Sequence, residues 1–168
     1  MNTPLDFVTT YFTEEKIESL FFIIIGSITV LLALTFLLII KYSLFKGLAI
    51  PLLLVGIMQL MVGCTIYRRT TKDIIQVELL IKKQSQYIQN NEIPRMEVVL
   101  KDFVIYKWIE ISFMIIGFIL IMFFYKSPQT FWKGLGLGLL IQASLMLCLD
   151  LIAKQRGEIY IQFLLKTI

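Results

Sequence analysis

Histidine is absent from the 168 residues, and only two cysteines and four prolines occur. Without His, the commonest general base and metal ligand is missing. Two cysteines cannot frame a disulfide scaffold. Charge is also scarce: Asp, Glu, Lys and Arg make up 17% of the chain, against about a quarter in soluble domains. The hydrophobic share is 58% and the mean hydropathy +0.81. That excludes a disordered chain and overfills the core that so small a soluble domain could build. The composition is that of an integral membrane protein.

Long apolar runs supply the spans. Ser19 to Ile40 is 22 residues without a charge, and Gly47 to Tyr67 is 21. At about 1.5 Å per residue each crosses a hydrocarbon core of about 30 Å as a helix. Ile111 to Tyr125 and Gly134 to Leu149 are shorter, at 15 and 16 residues, and reach spanning length by adding Trp108 to Glu110 and Asp150 to Ala153. The spacing thus predicts an all-α membrane protein with spans at about 19–40, 47–67, 108–125 and 134–153, arranged as two hairpins. The first run is expected to stay in the mature chain: acidic residues precede it, it is long, and no small-x-small cleavage site follows.

Twelve of the sixteen Lys and Arg residues fall on one side of this arrangement, in the N-terminal, central and C-terminal segments. Both termini are therefore expected in the cytoplasm. The four-span pattern suggests a small bacterial inner-membrane protein. The lipid bilayer is the partner this basic surplus fits. Nucleic acid is not, since no basic run is dense enough and acids alternate with the basic residues.

The central segment, 68–107, is too long for a structureless connection. It predicts a cytoplasmic helical hairpin whose arms continue spans two and three. Thr70 or Thr71 is the expected cap of the first arm, and Asn90-Asn91-Glu92 with Pro94 the stop and restart. Ile74, Val77 and Ile81 are expected to pack on the returning arm through Met96, Val99 and Phe103. That leaves Lys82, Lys83 and Gln86 as a docking surface for a protein partner or a second copy of the chain. The two halves also echo one another: Glu18-x-x-Phe21 and Glu110-x-x-Phe113 open spans one and three, and Lys46-Gly47-Leu48 and Lys133-Gly134-Leu135 open spans two and four.

Few polar residues enter the spans. Gln59 shares a face with Gly56 and Gly63, and Gln142 with Gly134 and Gly138. Small residues let backbones approach, and an amide between them can bond across the interface. The same amides could instead line a polar path. Asp150, about one turn inside the end of span four, is a candidate because ionisable groups at such depth are costly. Lys154, Arg68 and Arg69 are its expected neutralising partners, and Lys107 that of Glu110. Cys64 and Cys148 are expected as small packing residues. No catalytic set, metal set or cofactor motif appears, so no enzyme is predicted. The expected function is a membrane-embedded interaction or assembly protein acting through the cytoplasmic hairpin. The alternative is an oligomeric ion channel or small-solute transporter.

Overall fold

The computed structural model describes residues 4–83 and 88–167, with side chains described for 7–75 and 90–166. Four long helices account for nearly all of it: α1 Pro4–Leu38, α2 Ser43–Lys83, α3 Ile93–Phe124 and α4 Thr130–Thr167. All four are long and apolar enough to cross a membrane. Pro4 suits the first turn of α1, where its missing N–H has no intrahelical role. The connections are short, 39–42 and 125–129. Pro128 discourages helix in the residue before it, and the Ser127 hydroxyl accepts from the Gln129 amide at 3.2 Å, turning the chain into α4.

Exposure is inverted relative to a soluble protein. Phe123 is 79% and Leu38 78% exposed, whereas Gln59 is 1% and Thr70 0%. Only an apolar solvent makes that distribution favourable, since buried amides and exposed aromatics would both be penalised in water.

Glycines set the packing of the spans. On α1 and α2, a Cβ at Gly26 would sit 3.0 Å from the Gly56 oxygen, and one at Gly63 would sit 2.9 Å from that of Ser19. On α3 and α4 the contact is reciprocal, with Gly117 and Gly136 each against the other's carbonyl oxygen at 2.7 and 2.6 Å. Between α2 and α4, a methyl at Gly47 would overlap the carbonyl oxygen of Phe131, and one at Gly134 that of Leu44. The alternating Gly134-Leu-Gly136-Leu-Gly138 run thus serves two neighbours. Gly136 faces α3, while Gly134 and Gly138 face α2.

Several expectations for the charged end need correction. Helix α1 begins fifteen residues before the first apolar run and α4 continues well past the last one, so the central arms do not stand alone. Met96 does not pack on the Ile74 stripe of the other arm alone. It is buried with Val8, Tyr11 and Phe12 of α1 and with Tyr160 and Leu164 of α4, and Ile74 lies on the edge of that cluster. The reason is aromatic volume: Tyr11 stacks on Tyr160 at 3.9 Å and Phe7 on Phe163 at 4.1 Å, filling the centre that the two arms were expected to share. No cap forms at Thr70 or Thr71, because α2 runs through them; the Thr70 hydroxyl bonds back to the Ile66 carbonyl at 2.8 Å instead. Asn90 to Glu92 do not break the chain either. They form the end of a five-residue π-helical turn, Ile88–Glu92, that runs directly into α3, with Pro94 in its first turn as expected.

Candidate functional site

Gly134, Gly138, Gln142, Met146 and Asp150 follow one another at four-residue steps on α4, so they form one slowly turning stripe. The two glycines bring α4 against α2. A Cβ at Gly138 would lie 2.8 Å from the Leu48 oxygen and 3.0 Å from Cγ of Pro51. Past them the stripe becomes polar.

Gln59 of α2 reaches this stripe. Its Cβ would touch a methyl at Gly26 at 3.1 Å, so the absence of a side chain there makes room for it. Its Nε2 donates to the Met146 sulfur at 3.1 Å. The Oε1 of Gln59 and the Nε2 of Gln142 are buried without a hydrogen-bond partner. Gln59 and Gln142 are thus both in the α2–α4 seam, one turn apart, and these two atoms are not paired. Gly56 and Gly63 face α1, where a methyl on the first would meet Thr29 and one on the second Ile23 and Ser19. The face predicted to hold Gly56, Gln59 and Gly63 together is therefore divided between two neighbouring helices.

At the next step of the stripe, Asp150 meets no cation among the described residues. Lys154 pairs with Glu158 at 3.1 Å, and Arg69 with Glu15 at 3.1 Å and Asp73 at 2.9 Å. Lys107, expected beside Glu110, lies over the Trp108 ring instead. Asp150 instead faces Glu110 of α3, close enough for the two carboxyls to interact, and Oε2 of Glu110 is buried without a hydrogen-bond partner. The two residues are 8% and 7% exposed, and among the described residues neither has a Lys or Arg partner. Aligning α3 and α4 on the Gly117–Gly136 contact puts Glu110 opposite Ala143, seven residues short of Asp150. Helical side chains lean toward the N-terminus of their own helix, and in antiparallel helices those two leans converge. That convergence narrows the gap.

A second ionic contact lies beside the pair. Arg156 of α4 donates to Glu18 of α1, and its guanidinium also covers the Tyr11 ring at 5.5 Å. Glu18 and Asp150 interact electrostatically. Farther out, Arg95 holds Glu92 at 2.6 Å, and the Tyr160 hydroxyl donates to the same carboxylate at 3.2 Å. Cations thus satisfy Glu18 and Glu92 and leave the Glu110–Asp150 pair to itself.

No family model, curated protein or solved structure matches this chain.

Residues Lys82, Lys83 and Gln86, the expected docking surface, lie outside the described side chains, and Gln86 outside the described residues altogether. Cys64 and Cys148 are exposed, so they do not fill a helix interface as expected. No group of three or more potential metal ligands occurs among the described residues.

Proposed function

We propose that this chain is an integral membrane protein that moves protons, alone or coupled to a small solute, with Glu110 and Asp150 as its proton-binding pair. One observation carries the reading: two carboxyl groups, each more than nine-tenths buried at the edge of the spans, face each other with no Lys or Arg partner among the described residues, and one oxygen of Glu110 is left without a hydrogen bond. A hydrogen bond formed between two such carboxyls would hold a proton, because one group donates and the other accepts. Buried ionisable groups in a membrane are costly, and a salt bridge is their usual remedy. A pair that forgoes it is suited to taking up and releasing the shared proton. Gln142 and Gln59 continue the polar line from this pair toward mid-span.

Both termini and the central segment would face the cytoplasm, because most of the basic residues lie at that end. The interaction reading is less favoured. Its docking residues, Lys82, Lys83 and Gln86, lie outside the described side chains, so no described contact supports it.

The test is proton flux into proteoliposomes that enclose a pH-sensitive dye. The wild type should dissipate an imposed pH gradient under a potassium diffusion potential. Glu110→Gln and Asp150→Asn should each reduce the rate at least roughly tenfold, as loss of a proton-transfer group does. Both variants keep the shape of the site, since a carboxamide still donates to the remaining carboxyl. Wild-type flux equal to that of empty liposomes, or variants as fast as the wild type, would remove the proposal.

A further inference from the structure

We infer that the α2–α4 seam binds water at mid-span, held between Oε1 of Gln59 and Nε2 of Gln142. The seam has a definite register. Gly47 stands against Phe131 and Leu135, and Gly134 against Leu44 and Leu48, so these two glycines, 87 residues apart, are level, and Gln59 meets Met146 at the same separation. Helices α2 and α4 therefore run side by side in the same direction, with equivalent positions matched. Gln142 lies one turn nearer the short connections than Met146, so the two amides are offset by about 6 Å along the seam.

Both amides are almost fully buried, at 1% and 3% exposed. One presents an unsatisfied acceptor and the other an unsatisfied donor. Water is both donor and acceptor, and a buried water needs at least two polar partners. A single molecule, or two in series, spans the offset and satisfies both groups. The alternatives are poorer: lipid offers no hydrogen bond, and a direct amide pair would leave no reason for both atoms to be unmet. Gln142 lies eight residues from Asp150 on the same face, about 12 Å along the helix. Use of this water by the transported proton rests on the proposal above; its presence does not.

Met146 is a built-in reporter, because its sulfur accepts from Gln59 beside the site. Hydroxyl radicals produced from water by brief X-ray exposure oxidise methionine to the sulfoxide only where water is close. In the detergent-solubilised full chain, Met146 should oxidise roughly tenfold faster than Met58, a span residue that faces outward at 62% exposure. Gln59→Leu, and separately Gln142→Leu, should bring Met146 down to the rate of Met58. A wild-type Met146 no faster than Met58 overturns the inference, whether or not either variant folds. Fast Met146 oxidation without proton flux keeps the water site and removes the transport reading. Flux with a protected Met146 does the reverse.

Discussion

The contact between α2 and α4 at Gly47 and Gly134 gives a test of the packing with a predictable sign. A methyl at either position would overlap a backbone carbonyl oxygen, with the Leu135 nitrogen at 2.9 Å from the first and the Leu48 nitrogen at 3.0 Å from the second. Backbone cannot rotate aside as a side chain can, so the helices must part by about 1 Å or more to restore ordinary contact. Overpacking of this kind costs about 1–3 kcal/mol. The better helix propensity of Ala returns up to about 1 kcal/mol of that. Gly47→Ala or Gly134→Ala should therefore lower stability by a net of about 1–2 kcal/mol. The double variant should cost little more than either single one, because one parting of the helices accommodates both methyls. The coupling between them should thus be of the order of the single effect, well above the few tenths seen between independent sites. Gly157→Ala is the control. Its methyl would meet only the ends of Leu100 and Met96 at 3.2 and 3.5 Å, so it should be neutral or stabilising by up to about 1 kcal/mol. Reversible unfolding in mixed detergent, followed by circular dichroism, measures all four. Additive losses at Gly47 and Gly134, or a Gly157→Ala loss as large as theirs, would refute the close-contact argument.

At the charged end, Tyr160→Phe removes a hydrogen bond to the Glu92 carboxylate and should cost about 1.5 kcal/mol in the same assay; an unchanged stability would show that Arg95 alone satisfies Glu92. For sidedness, Cys64→Ala and Cys148→Ala should leave stability within about 0.5 kcal/mol, because both thiols are exposed. In that background, single cysteines at the exposed Lys72 and near the 125–129 connection at Ser127 should react with impermeant reagents from opposite faces of an oriented vesicle, Lys72 from the cytoplasmic one; Ser127 reacting from the cytoplasmic face alone would reverse the proposed topology.

The four helices were legible because uncharged runs of spanning length leave few other structures in lipid. The approach of backbones at Gly134 and Gly138 is what small residues at four-residue spacing suggest, whereas the face expected of Gly56, Gln59 and Gly63 divides between two helices. The partner of Asp150 was not legible in the same way. Sequence spacing offers Lys154 on the same helix, yet that ammonium has Glu158 one turn further on. Finding Glu110 requires the antiparallel register of α3 and α4 and the opposed lean of their side chains, which composition and spacing do not contain. The aromatic junction of Tyr11 and Tyr160 was hidden for a similar reason. The residues before Ser19 and after Ala153 read as polar flanks, and only the packed helices show that their apolar positions converge on Met96.

At Gly47 and Gly134, α2 and α4 touch backbone to backbone. At Gln59 and Met146 two long side chains span the interval between them. By the level of Tyr160, stacked aromatic rings from α1 and α4 occupy the centre. These contacts imply an α2–α4 pair that opens as a wedge from the short connections toward the charged end, with the polar atoms of Gln142 and Gln59 on its inner side and Asp150 at its edge toward α3. Lipid in that wedge would leave them unsatisfied, so another element has to seal it. Helix α1 does so where Gly26 admits Gln59, and α3 where Glu110 meets Asp150. On this reading the glycine contact fixes the apex, the aromatic cluster holds the base open, and the polar line between them is kept from lipid by the two outer helices. Loosening the apex should then disturb the water near Met146 before it disturbs the carboxyl pair, which is nearer the base and held by α3.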